Sequence, residues 1–163
     1  MKIGIISDTH DNLDVIENAV DLFEAEADVV VHCGDIVAPY AATMFDADFD
    51  FYAVRGNNDG EWMLQDAVRS FGTYFGELGE LSLGGASIAV YHGTSQAIVD
   101  ALVECGSYDY VFHGHTHERV HEEQEGTVRI NPGGIPITTD SNDDPPAGVI
   151  LDTETGDVAF HDL

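Results

Sequence analysis

Basic residues are almost missing from this chain. Lys and Arg number five against 31 Asp and Glu, and the formal net charge is −26. Lys2 is the sole lysine. Nucleic-acid backbones are bound through counterion release by clustered Lys and Arg, so that class of function is not expected. Cysteine is also scarce: Cys33 and Cys105 are the only two. Both lie in apolar surroundings, which suits buried free thiols and offers neither a disulfide framework nor a thiolate nucleophile. No stretch approaches the roughly 18 consecutive apolar residues of a membrane span. Met1-Lys2-Ile3-Gly4 runs into a strand with no charged-then-apolar leader, so the expected location is cytoplasmic.

What is present is enough apolar residue, 44% of 163 positions, for one domain with a full core over residues 1–163. The acidic residues are spread over nearly every segment between apolar runs, which argues against an acidic tail. Such self-repulsion destabilises a compact state in dilute buffer and is relieved by screening. A halophile-type surface is therefore expected ahead of a surface that binds a basic partner.

Ile3-Gly4-Ile5-Ile6 is a continuous apolar run of the kind buried on both faces of a sheet. It ends at Ser7-Asp8-Thr9-His10. Leu13, Ile16, Val20 and Phe23 then recur at helical spacing behind Asn12, a suitable N-cap. Val29 to Cys33 and Phe51 to Val54 repeat the strand pattern, with an irregular helix from Tyr40 to Phe45 between them. Glu61 to Val68 predicts another helix. Phe71 to Phe75, Glu80 to Leu83 and Ser87 to Tyr91, punctuated by glycines, predict a meander. Ser95 caps a helix that closes near Gly106, Asp109 to His113 is a strand, and Arg119–Glu122 with Thr127–Ile130 forms a hairpin. After an acidic loop from Thr139 to Pro146, Val149–Leu151 and Val158–Phe160 form the last hairpin.

The chemistry centres on Gly114-His115-Thr116-His117, a tight turn in which two imidazoles can reach one small volume. It has company. Asp8 and His10 follow the first strand, Asp35 the second, Asn57 the third, and His92 the strand after the meander. In open α/β sheets ligands bind at that edge, so seven metal-competent side chains from five segments can converge on one crevice. Carboxylate and carboxamide oxygens mixed with imidazoles suit Mn, Fe, Zn or Ni, and the lack of Cys ligands speaks against structural zinc. The set also suits two cations rather than one. Cations about 3.5 to 4 Å apart need a bridging anion, and Asp35, on the middle strand, is the natural bridge. His32 and His113 read as core or supporting histidines, and His121 and His161 as surface residues. Asp11 and Asp59 are turn residues beside the site. Arg55 can clamp a substrate phosphate or form an ion pair, and both readings stand.

Taken in order, Asp-x-His, Gly-Asp, Gly-Asn, His-Gly and Gly-His-Thr-His resemble the calcineurin-like metallophosphoesterase superfamily, over residues 3 to about 134. The small size and the Gly-Asn-x-Asp form are similar to its compact single-domain bacterial and archaeal phosphodiesterases. The resemblance implies an α/β fold, a four-layer αββα sandwich of two mixed β-sheets flanked by helices. It implies two divalent metal ions, Mn first, with Ni, Co, Fe or Zn in its place. Asp8, His10 and His117 would hold one metal, Asn57, His92 and His115 the other, and Asp35 would bridge. Asp35, Asn57 and His92 are then catalytic as well as ligating. Asn131-Pro132-Gly133-Gly134 looks like the family's Asn-Pro-Gly loop beside the site. The implied reaction is in-line attack of a metal-bridging hydroxide on a small phosphate ester, more often a diester, and a homo-oligomer is compatible with it.

One position departs from the family. Many relatives carry a histidine after Gly-Asn that serves the leaving group, and this chain has Asn58, whose amide cannot act as an acid. Asn58 and Arg55 are the candidate substrate contacts. A non-catalytic relative, the scaffold subunit of the retromer coat, resembles the same small fold but departs from the ligand pattern kept here. Binuclear hydrolases of acyl or β-lactam bonds favour a His-x-His-x-Asp-His block that this chain lacks.

Overall fold

A computed structural model describes residues 1–60, 62–136 and 144–163. The first half runs β1 (Lys2–Ile6), α1 (Leu13–Glu26), β2 (Val29–His32), α2 (Pro39–Thr43), β3 (Asp50–Ala53), α3 (Trp62–Arg69) and β4 (Thr73–Tyr74). The second half runs β5 (Leu78–Leu83), β6 (Ala86–Tyr91), α4 (Gln96–Glu104), β7 (Tyr110–Phe112), β8 (Arg119–Gln124) and β9 (Thr127–Pro132). The chain closes on β10 (Ala147–Asp152) and β11 (Val158–Asp162).

These strands form two mixed sheets, ordered β11-β10-β1-β2-β3-β4 and β5-β6-β7-β9-β8. In the first, β1 to β4 are parallel, with Ile3 opposite Val29 and Val31 opposite Tyr52. In the second, β6, β7 and β9 are parallel, flanked by antiparallel hairpin partners. The sheets pack face to face through Ile3, Ile5, Val29, Val31 and Val54 against Ile88, Val90, Phe112 and Ile130. Alternate residues of the first sheet, such as Ile6, Val30 and Phe51, turn outward to Ile16, Phe23, Phe45 and Leu64 of the helical side. Helix α4 covers the other outer face through Val103 against Ala89 and Val111. The result is helix, sheet, sheet, helix, an α/β sandwich with two mixed sheets flanked by helices.

Local sequence explains the entry of α1 and its fit. Asn12 Oδ1 accepts from Val15 N–H at 3.3 Å, the predicted cap. Gly4 lets β1 approach the helix, because a Cβ there would sit 2.6 Å from Phe23 Cδ1.

Three expectations need correction. The stretch from Phe71 to Phe75 does not join a meander: β4 pairs in parallel with β3 in the first sheet, and of the three runs only the last two, β5 and β6, pair with each other as a hairpin in the second. Ser95 occupies the N-cap of α4 with no side-chain bond to the helix. Cys105 is exposed rather than buried, because it ends the amphipathic α4, where its Sγ donates to Leu102 O. Glu61, the expected first residue of α3, and most of the expected Thr139–Pro146 loop lie outside the described residues. Among the described residues no helix is long and apolar enough to cross a membrane.

Candidate metal centre

Parallel strands leave their C-terminal ends on one edge of each sheet, and the turns that follow carry the seven candidate ligands. Those turns are tight. Asp8, His10, Asp35, His115 and His117 all have positive φ, from 43° to 70°, as do the neighbouring Asp11 and Val37. L-residues adopt this region at a cost, and clusters of such strain mark functional sites. Two glycines make room for the crowding. A Cβ on Gly34 would lie 2.8 Å from His92 Nδ1, and one on Gly114 would collide with Ser7 Oγ and Asp8 Oδ2.

The turns bring the side chains together in two overlapping groups, Asp8 with His10 and His117, and Asp8 with Asp35 and His92. Asp8 Oδ1 lies 3.3 Å from His117 Nε2, 3.9 Å from His10 Nε2 and 4.0 Å from His92 Nε2. Asp35 Oδ2 lies between the groups, 3.5 Å from His10 Nε2 and 3.4 Å from His92 Nε2. Asn57 Oδ1 sits 3.0 Å from His92 Nε2. The His115 ring meets His92 edge to face at 5.2 Å between centroids, and its backbone N–H donates to Asp8 Oδ2 at 2.9 Å.

Two of these atoms are buried with no hydrogen-bond partner among the described residues: Asp8 Oδ1 and His10 Nε2. Leaving a buried acceptor unpaired is costly, so atoms of this kind need an explanation. A divalent cation supplies one. His92 strengthens the point. Its Nδ1–H donates to Cys33 O at 2.8 Å, which leaves the Nε2 lone pair facing Asn57 Oδ1. Two acceptors at 3.0 Å repel unless the Asn57 amide turns its NH2 to the ring, the ring is protonated or a cation joins them. His117 is held in the same tautomer, its Nδ1–H donating to Ile135 O at 2.5 Å while Nε2 faces Asp8. The donor set, its burial and its unpartnered atoms fit divalent metal.

Electrostatics agree. Burial pushes the Asp8 carboxyl up, but His10, His117, His92 and the Ser7 hydroxyl hold it well below the usual carboxylate range. Asp35 is likewise carried down, against burial, to about 2 by His92 and Asn58. The His92 imidazole is raised despite its burial by Asp35 and Asp8, and His117 chiefly by Asp8. Burial drives the two supporting histidines the other way, His32 to about 3 and His113 to about 4.

The supporting groups were the less visible part of the sequence. Asp59 is 2% exposed and accepts three backbone N–H groups, from Asp35 at 3.0 Å, Gly56 at 2.7 Å and Val37 at 2.8 Å. Burial lifts its pKa, with Asp35 adding to the rise and the backbone donors opposing it. Asp59 thus fixes the backbone at two positive-φ positions, whereas Asp11 is exposed and accepts from Ala38 N–H. Across the cleft, Asn131 donates to Gly114 O and Thr116 Oγ1 and accepts from Gly133 N–H. Arg129 Nε donates to His113 Nε2 at 2.8 Å. Only the adjacency of Asp59 to Gly56-Asn57 and the Asn-Pro-Gly-Gly run hinted at these roles.

The two candidate substrate contacts are placed differently. Asn58 lines the cleft, but its backbone and side-chain N–H groups donate to Asp35 Oδ1 and Oδ2 at 2.7 and 2.8 Å. Arg55 pairs with the exposed Glu77 at 3.4 Å and is absent from the described lining of the cleft.

Comparison with known proteins places this geometry. Over 138 residues the chain is 36% identical to a phosphodiesterase of Methanocaldococcus jannaschii, covering 82% of this chain and 83% of that protein. A solved archaeal phosphodiesterase superposes with a TM-score of 0.92 at 34% identity over the whole of both chains. Zinc-bound Vps29 of Entamoeba histolytica, at 16% identity and a TM-score of 0.69 over 99% of this chain and 97% of its own, shares the fold. Residues 1–156 match the model of the calcineurin-like phosphoesterase superfamily domain. The chain belongs to the calcineurin-like phosphoesterase superfamily.

Proposed function

We propose that this protein is a metal-dependent phosphodiesterase whose cleft holds two divalent cations. Asp8, His10 and His117 would hold one, Asn57, His92 and His115 the other, and Asp35 would serve both. The observation that carries the reading is the clustering of Asp8, His10, Asp35, His92 and His117, with Asn57 and His115 against His92, around two buried, unpartnered atoms, Asp8 Oδ1 and His10 Nε2. Membership of the superfamily and similarity to named phosphodiesterases support it. Bound there, the cations would acidify a water for in-line attack and neutralise phosphate oxygens.

The chain's own residues prepare that chemistry. Cys33 O and Ile135 O fix the ring orientation of His92 and His117, so both Nε2 atoms face the carboxylates. Asp8 and Asp35 supply the negative charge that such cations need. Asn58 grips both Asp35 oxygens, so its amide positions the bridge and gives no proton to a leaving group. The monoanion of a diester also suits a cleft whose described lining contains no Lys or Arg.

Chelation should abolish hydrolysis of an aryl phosphodiester, and Mn, Ni or Co should restore it. Asp35→Ala should lose activity at every metal concentration. Full activity in the metal-free protein overturns the reading, and a higher kcat/KM for the matching monoester overturns its diester form. We read Mn as the native metal, the location as cytoplasmic and the acidic surface as an adaptation to high salt. The salt reading requires a higher melting temperature in molar KCl than in dilute buffer.

A further inference from the structure

The cleft over the candidate ligands has a volume of about 430 Å³. Its polar side is built from the ligands and Asn58. Its other wall is Ile135 and Pro136, the only aliphatic side chains among the described lining residues. Ile135 is bolted to the site by its backbone. Its N–H donates to Asp8 O at 3.2 Å, and its C=O accepts from His117 Nδ1. The side chain is free of these duties, so its position is set by the ligands while its chemistry faces the cleft.

Charge narrows what can lie against that wall. All five basic side chains sit elsewhere. Lys2 faces Glu26, Arg55 faces Glu77, and Arg119 pairs with Asp162. Arg129 supports His113, and Arg69 ends α3 beside Asp50 and Thr73. Residues 137–143, Ile-Thr-Thr-Asp-Ser-Asn-Asp, contain no Lys or Arg either. A second anionic group on a substrate would therefore meet no basic side chain, inside a chain of net charge −26.

We infer that Ile135, backed by Pro136, is a specificity-determining contact that receives the organic arm of the diester, and that this arm is apolar and uncharged. The inference rests on the phosphodiesterase reading and names the substrate class within it. Burying an apolar arm against an apolar wall is favourable in proportion to the area covered, whereas a carboxylate desolvated there meets no Lys or Arg among the described lining residues.

Two mixed diesters with the same leaving group test this: 4-nitrophenyl phenyl phosphate and 4-nitrophenyl 4-carboxyphenyl phosphate, each with the Mn-loaded protein. The phenyl ester should show a kcat/KM at least ~10-fold higher, the scale on which a pocket separates arms of different polarity. Ile135→Ala should raise KM for the phenyl ester several-fold and leave kcat and the Mn stoichiometry unchanged, and Ile135→Val should restore most of the loss. Calorimetric binding of diphenyl phosphate should weaken in parallel. Equal kcat/KM for the two esters, or an unchanged KM and diphenyl phosphate affinity in Ile135→Ala, overturns the inference while leaving the phosphodiesterase reading intact. No hydrolysis of either ester by Mn-loaded wild type overturns both.

Discussion

The turns of the first sheet are held by carboxylates that accept backbone N–H groups, and those of the second by imidazoles and an amide that donate to backbone carbonyls. On the first side, Asp59 accepts from Asp35, Gly56 and Val37. On the second, His92 donates to Cys33 O, His117 to Ile135 O and Asn131 to Gly114 O. The difference follows from what each side presents to the cleft. Left-handed residues occur in the turns of both sheets, so the contrast lies in side-chain type: the first sheet supplies anionic Asp8 and Asp35 beside His10. An imidazole that gives its Nδ1–H to a carbonyl presents a bare Nε2 lone pair, so the second sheet supplies neutral nitrogen donors. A cation satisfies both at once. The sheets are also stitched together at this edge, because His115 N–H reaches Asp8 and Cys33 O receives His92.

If the carboxylate side carries more of the architecture, removing its support should cost more. Asp59→Ala strands three backbone donors in a buried turn, and each such loss is worth about 1–3 kcal/mol. We expect a loss of about 3–5 kcal/mol in urea unfolding, together with a fall of ~10- to 100-fold in Mn affinity by titration, the usual scale for groups that orient ligands. Asp59→Asn keeps an oxygen for Asp35 and Gly56 but sets an amide against Val37 N–H, and should fall between. The matching change on the other side, Asn131→Ala, removes two donated bonds and one accepted bond, all uncharged. It should cost about 1–3 kcal/mol and less metal affinity. A larger loss for Asn131→Ala than for Asp59→Ala breaks the comparison.

The same contrast explains what the sequence could disclose. Continuous apolar runs that stop at Gly34-Asp35, Gly56-Asn57 and Gly114-His115 announce buried parallel strands and put their polar residues on one edge. Asn12 announces its cap by residue type and position. Asp59 was harder to read, because an Asp in a Gly-Asn-Asn-Asp turn looks solvated. Its burial arises only when the turns after β2 and β3 stack on each other. Ile135 gave no signal of its own beyond following Asn-Pro-Gly-Gly, since its contribution to His117 comes from its backbone carbonyl. Phe71 to Phe75 misled because two residues of pairing, Thr73 with Tyr52 and Tyr74 with Ala53, decide its sheet, and nothing local encodes that.

The last expected effect isolates an imidazole that belongs to the carboxylate side. His32 is fully buried. Gly34 N–H donates to its Nδ1 at 3.1 Å, so the proton sits on Nε2, 3.2 Å from Thr9 Oγ1, and the ring ties the turns after β1 and β2 together. Burial depresses its pKa from 6.5 to about 3. The unfolded chain therefore takes up this proton near pH 6.5, while the folded chain resists until about 3. As pH falls through that window the unfolded state binds more protons and stability declines, by up to ~1.4 kcal/mol per pH unit. His92 and His117 cannot imitate this in the metal-free protein: their pKa values are raised, so their contribution is complete below 6.5 and is lost as pH rises. Asp8 and Asp35, whose pKa values are lowered, act only below about 3.8. Urea unfolding of the metal-free protein at pH 6.5 and 4.5 should show wild type losing about 2–3 kcal/mol more than His32→Gln, whose amide cannot titrate. Equal losses in the two proteins would show that the acid sensitivity lies with other groups and that His32 is not held neutral by its burial.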